Sequence, residues 1–276
     1  MNSIPGPSRR PAAIALSAAT LALLAACSSG GSNSAHGVTA STGSGGSQTA
    51  QNALLTASTQ SQRINSAVTT LQVKVAGSQA STETGTIQYQ LKPSLLMGED
   101  MKIAADGGNT EIKMILTGTD MYFSEPGLSG KTWTKFALSA LKGPSASFAQ
   151  LVQSMQSNNF TSQIQLFSAA KDAHEVGTQT IGGVPTTEYA GTFRASDGLN
   201  ALTPSARKIL GPQLQKLGDS VISFHEWIDA QHQVRQVVEN ETVQGHAVTT
   251  TMNVTGINQP VQIAVPAASE VTTPGQ

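Results

Sequence analysis

One cysteine, Cys27, stands in the whole chain of 276 residues, so no disulfide can form within it. Aromatic residues make up only 4% and charged residues 12%. So few rings leave aliphatic and methionine side chains to fill any apolar interior. With 16 basic against 17 acidic side chains the chain has no electrostatic footprint for nucleic acid, which is excluded as an expected partner. No apolar run reaches the about 20 residues that a membrane-spanning helix needs. Catalytic signatures are missing as well. There is no Gly-x-Ser-x-Gly elbow, since Gly127-Leu128-Ser129-Gly130 has the wrong spacing and reads as a turn. No Gly-x-x-x-x-Gly-Lys-Ser/Thr loop is present to cradle a phosphate. His225-Glu226 starts like a zinc helix, but Asp229 holds the place of the second histidine. On a strand these two neighbours face opposite ways. His232 and His246 could approach His225 across a hairpin, although surface histidines are the commoner reading. Neither an enzyme, a metal site nor a cofactor is expected.

What is present begins at the amino terminus. Arg9 and Arg10 precede an uncharged stretch from Ala12 to Ala26 that ends in small residues, the order of a secretory signal. Pro11 and Ala12 follow the arginines where a folded-protein export signal has a bulky apolar residue, so Sec export is expected. The stretch closes on Leu24-Ala25-Ala26-Cys27, which resembles the lipobox of bacterial lipoproteins. Small residues let the peptidase reach the backbone, and only a thiol can form the thioether to a diacylglyceryl group. Residues 1–26 are therefore expected to be removed. Cys27 would carry two or three palmitate-type acyl chains, enough for stable attachment to the extracytoplasmic face of the cell membrane. Residues 27–49 follow as the lipidated cysteine and a Ser/Gly-rich tether, whose coil spans roughly 25 Å. Residues 50–276 form one domain.

Within that domain apolar residues alternate. Leu71, Val73 and Val75 alternate with Gln72 and Lys74; Ile87, Tyr89 and Leu91 alternate with Gln88, Gln90 and Lys92. Further strands are expected at Ser94 to Ala104, Asn109 to Leu116, Asp120 to Ser124, Ala173 to Thr180, Thr186 to Arg194, Val221 to Asp229, Val234 to Gln244, His246 to Gly256 and Val261 to Val265. Asp106-Gly107-Gly108-Asn109, Thr117-Gly118-Thr119-Asp120 and Ile181-Gly182-Gly183-Val184 read as hairpin turns. Helical spacing is confined to Phe148, Leu151, Val152 and Met155, to about Asn52–Thr70, to a stretch from Thr203-Pro204 to Gly218, and to Ser162–Ala170. The expected class is α+β, a large antiparallel sheet with a few helices over one face.

Several segments occur in a familiar order: Ile115 to Tyr122, Gly130 to Lys135, Val176-Gly177 through Gly182-Gly183 to Tyr189, Phe224 to Asp229, and Asn258 through Ile263 to Pro266. In that order, with the lipobox, they resemble the actinobacterial LppX/LprA/LprF/LprG lipoproteins, whose fold is similar to that of LolA and LolB. The resemblance implies a curved antiparallel half-barrel with helices in its mouth. It also implies an acyl chain or glycolipid held between sheet and helices, and an envelope transport partner protein. It carries no set of polar ligand-binding residues to this chain. Gly182-Gly183 would mark a hairpin, Trp227 a packing position, and Pro260 and Pro266 the flanks of the last strand. The cavity candidates are Leu71, Val73, Val75, Ile87, Tyr89 and Leu91 on strands and Phe148, Leu151, Val152 and Met155 on a helix. The helices at Phe148–Met155 and Asn52–Thr70 would gate it. Two alternatives stay open: the same strand residues can form a solid core, and the same fold can serve as an adaptor for a protein partner.

Overall fold

The computed structural model describes residues 44–77, 80–105, 108–124, 132–140, 164–202, 217–243 and 245–273, with single positions between 204 and 215. Cys27 and the helical candidates Phe148, Leu151, Val152 and Met155 lie outside the described residues. The strands are β1 (Ser66–Val75), β2 (Ser81–Gln90), β3 (Leu96–Ala105), β4 (Gly108–Thr117), β5 (Asp120–Ser124), β6 (Trp133–Ala137), β7 (His174–Ile181), β8 (Val184–Arg194), β9 (Val221–Asp229), β10 (Val234–Val243), β11 (His246–Thr255) and β12 (Val271–Thr272). The helices are α1 (Ser44–Ser61), α2 (Ile164–Phe167) and α3 (Ala195–Ala201).

All strands join one open, curved 12-stranded sheet in the order β12-β6-β5-β4-β3-β2-β1-β11-β10-β9-β8-β7. The chain runs one meander from β1 out to β6 and a second from β7 back to β11. Pairing of β1 with β11, Leu71 level with Met252, sews the two together. Every ladder is antiparallel except that of β12 on β6. This is the α+β architecture that the alternation predicts.

Local chemistry sets the turns. Gly182 and Gly183 take φ of +56° and +83° between Ile181 and Val184, the left-handed pair that a two-residue hairpin matching the strand twist requires. Between β4 and β5 the Thr117 hydroxyl accepts from the amides of Thr119 and Asp120, at 3.3 and 2.9 Å. Between β9 and β10, Asp229 Oδ1 accepts from the amides of Gln231 and Gln233 at 2.8 and 2.9 Å, and Oδ2 accepts from Arg235 Nε at 2.7 Å. Asp229 thus organises its hairpin while nearly hidden from solvent. Asp229→Ala strands those donors and lowers stability by about 2 kcal/mol in urea unfolding, whereas Asp229→Asn, which keeps one acceptor, costs less.

Several expectations are corrected. The helix read over Asn52–Thr70 is instead α1, Ser44–Ser61, and its supposed last turn is strand β1. Val68, Thr69 and Thr70 are β-branched and fit the pleat better than a helix. Helix α1 begins inside the Ser/Gly stretch because tertiary contacts hold it there: Ser47 Oγ donates to the Lys171 carbonyl (3.1 Å), Gln51 Nε2 donates to that of Ala170 (3.0 Å), and Ala50, Leu54 and Ala57 bury one face. Leu55, an apolar residue within the expected helix, points to solvent. The expected strand Val261–Val265 belongs to no ladder; the last strand is β12, beyond Pro266, and pairs with β6, a strand the alternation did not mark. Helix α3 was also unmarked, its Gly198 and Asn200 being poor helix formers that a tertiary seat overrides. The other two helical stretches are present in part: α2 lies within Ser162–Ala170, and Pro204, Arg207, Gly211 and Leu214 are helical before Gly218 turns the chain at φ +56°.

Candidate functional site

Strand register decides which side chains meet, because a strand sends alternate residues to opposite faces. Leu71 is level with Gly85 on one side and Met252 on the other; Gly85 is level with Met101, and Met101 with Ile112. The neighbouring rungs set Ala67, Tyr89, Met97, Leu116, Met121 and Phe136 in one line. All of these lie on the face that also carries the helices, the inner face.

Three apolar clusters occupy that face. In the first, α1, α2 and α3 pack on β8, β9 and β10 around Phe167, Phe193 and Phe224. Phe167 and Phe224 stack with centroids 4.7 Å apart, and Phe193 stands 6.2 Å from both. The second joins Ile87, Tyr89, Met97, Met114, Leu116 and Met121 across β2 to β5. The third joins Leu71, Val73, Met101 and Val248. Neither the second nor the third includes a residue of α1, α2 or α3. Among the described residues the helical cover therefore belongs to the β7–β10 end, and the aliphatic and methionine clusters beyond it are buried without a residue from those helices. Beside α1, a cleft of about 640 Å³ opens between Ala53 and the ends of β7, β8 and β9, with Thr187, Tyr189 and Ile228 in its wall. That volume lies within the range of small-molecule sites, about 300 to 1,000 Å³.

Carboxyl groups interrupt this surface. Glu83, Val73, Thr250 and Glu239 form one rung of the inner face, with Glu241 one rung along β10 and Glu226 on β9 level with Val237. Glu226 is wholly buried and neither of its oxygens has a hydrogen-bond partner among the described residues. Burial, reinforced by the nearby Glu239, pushes its carboxyl well above the ordinary range. Burial, then the charge of Glu241, pushes Glu239 up to about 8. Burial alone raises Glu241 to about 7 and also raises Glu83. In neutral form each offers one O–H donor within a largely apolar face. Among the described residues no group of three His, Cys, Asp or Glu side chains is arranged to hold a metal ion.

Of the residues singled out from sequence, Leu71, Val73, Val75, Ile87 and Tyr89 share the inner face, in two clusters rather than one. Leu91 lies just past the end of β2, half-buried against the second cluster. Met97, Met101, Met114, Leu116 and Met121 belong to the same surface and were missed as site residues, although β3, β4 and β5 were read as strands. Glu99 is the reason for β3: it sits on the same face as Met97 and Met101, so the expected polar and apolar alternation is broken. His225 and Glu226 do face opposite ways, His225 meeting Glu188 Oε1 at 2.7 Å on the outer face. His232 lies in the β9–β10 turn and His246 meets the carbonyl of Ala76, so neither joins His225. Trp227 packs as expected, stacked beside His225 with its Nε1 donating to Gln179 Oε1 at 3.2 Å.

No family profile and no curated protein sequence matches the chain. Solved structures do. LprF from Mycobacterium bovis is similar with a TM-score of 0.52 at 14% identity, over 80% of this chain and 98% of that one. The Mycobacterium tuberculosis lipoprotein LppX follows with a TM-score of 0.46 at 15% identity, over 78% of this chain and 99% of that one. The MucA/MucB complex of Pseudomonas aeruginosa gives 0.36 at 16% identity, over 80% of this chain and 62% of that one. The curved sheet and its helical cover are thus the fold of LprF, the fold that the sequence resemblance implies.

Proposed function

We propose that this chain is a membrane-anchored envelope lipoprotein that holds an acyl-chain lipid or glycolipid against the inner face of its curved sheet and carries or presents it within the cell envelope. One observation carries the reading: the buried apolar clusters on the inner face of β1 to β5 are built of aliphatic and methionine side chains and include no residue of the three described helices. Acyl chains need shape and dryness more than hydrogen bonds, and each methylene taken from water is worth about 0.8 kcal/mol. Methionines suit such a lining because their unbranched side chains repack around guests of different shape. The likeness to LprF is in keeping with this function. Cys27 would provide the anchor on the extracytoplasmic side, and among the described residues no helix is long and apolar enough to cross a membrane. The cleft beside Ala53 favours α1 as the edge where a lipid enters, in place of the Asn52–Thr70 helix read from sequence.

The test is native mass spectrometry of the chain secreted with Cys27→Ser. Co-purified lipid is expected in the mass of the folded species, and Leu71→Trp, which crowds the third cluster, is expected to lose most of it while keeping its circular dichroism. A ligand-free spectrum, before and after incubation with phospholipid, would sink the carrier reading.

A further inference from the structure

The outer face of the sheet holds a second concavity, on the side away from the lipid surface. It is a trough of about 850 Å³ crossing β11, β1, β2, β3 and β4, walled along one side by residues 262–264 and by Trp133. Gly98 seats that wall. A Cβ at this position would stand 3.2 Å from Ile263 Cγ2, so the missing side chain lets the carboxy-terminal segment lie close against β3.

Two rungs of uncharged polar side chains make the floor. Thr251, Gln72 and Thr84 are level with one another, and so are Asn253, Thr70 and Thr86. Asn253 is engaged, accepting from Gln236 Nε2 (2.6 Å) and donating to Thr70 Oγ1 (3.3 Å). Gln72, Thr84, Thr86 and Thr251 are half-buried and their side chains make no hydrogen bond among the described residues, so their amides and hydroxyls face the trough with donors and acceptors to spare. Adjacent strands stand about 4.8 Å apart, so these groups repeat across the strands at close to the advance of one ring along an extended sugar chain.

Charge narrows the ligand. At the far end Lys113 meets Asp100 at 3.6 Å and Glu111 at 3.2 Å, and Lys102 is level with Glu111. Two cations and two carboxylates balance, leaving no excess to attract a phosphate or an ammonium. Trp133, Ile115 and Ile263 supply an apolar side, of the kind on which the C–H face of a sugar ring stacks. An extended peptide is less well suited, because it is recognised chiefly by backbone pairing at a sheet edge, and this trough lies on a face.

We propose that the trough binds a neutral glycan chain, laid across the strands from β11 toward β4, with its hydroxyls on the Thr/Gln rungs and a ring against Trp133. The site is independent of the lipid reading, since Thr86 and Trp133 point away from the inner face. The experiment uses the full chain in nanodiscs, with saturation-transfer NMR and calorimetry against cellohexaose, maltohexaose, mannohexaose and xylohexaose. At least one should bind saturably. Trp133→Ala, and separately Thr86→Lys, which fills the floor, should each weaken it about tenfold or more, while Trp133→Phe retains most of the affinity and all three variants keep the bound lipid. The proposal is overturned if no hexasaccharide saturates below about 10 mM, if binding is indifferent to Thr86→Lys, or if an uncharged Ser/Gly decapeptide binds as well as the sugars.

Discussion

Raising the pH from about 5 to about 8 lowers the melting temperature of this protein by about 10 °C or more. The groups responsible are Glu226, Glu239 and Glu241, buried on the inner face of the sheet, with the half-buried Glu83 beside them. In the unfolded chain their carboxyls ionise near 4.5 and are solvated by water. In the folded protein Glu241 holds its proton to about 7 and Glu239 to about 8, and burial pushes Glu226 well above its ordinary value. The native state therefore binds more protons throughout that interval. Its stability is full below about 4.5 and declines as the pH climbs through the folded values, the reverse of an ordinary salt-bridged carboxylate. The carboxyl of Glu239 offers Glu226 no relief, because its charge opposes ionisation. Thermal melts across the range test this directly. Glu239→Gln should flatten the dependence, and Glu226→Met should raise the melting temperature at pH 8, since an unpartnered buried carboxyl gives way to a side chain that packs without desolvation cost. A flat profile in the parent protein would refute the burial of these groups.

Gly85→Ala is expected to destabilise the fold by about 3 kcal/mol or more, and to disorder the third apolar cluster. Gly85 lies between Leu71 and Met101 on the inner face, and the Met101 side chain crosses the space that a Cβ would fill. That Cβ would collide with Met101 Sδ and with the Asp100 carbonyl oxygen. A methionine tip can move aside, but the carbonyl belongs to the β2–β3 ladder and cannot shift without breaking it. Methionine at 101 is otherwise fully buried, so pairing Gly85→Ala with Met101→Ala removes only the yielding half of the clash and rescues only part of the loss. Urea unfolding of the two single variants and the double variant measures this. Full rescue by Met101→Ala would show that the backbone contact is not the obstacle.

These two glycine and glutamate effects mark where sequence reading runs out. Val73 and Ile87 are legible as strand residues because each alternates with polar neighbours over a short stretch. Gly182-Gly183 is legible as a hairpin because only left-handed backbone closes so tight a loop. Glu226 is not legible in this way. Alternation can set it opposite His225, but nothing local shows that β9 is buried on that side beneath packed neighbours. Met97 and Met101 share their face with Glu99, so the pattern that should announce an apolar face is blurred in the strand where it matters most. Gly85, within a run of Ser and Thr, looks like any strand-weakening glycine until Met101 is found across the ladder.

The amino-acid sequence by itself determined the alternating strands, the turns between them and the α+β class, because pleat, β-branching and left-handed turn residues act between neighbours in the chain. Register between distant strands, the joining of β1 to β11, the start of α1 within a Ser/Gly stretch and the passage of residues 262–264 over Gly98 were decided only by the tertiary structure. These depend on which surfaces exclude water together, and desolvation is a property of the assembled fold rather than of any segment in it.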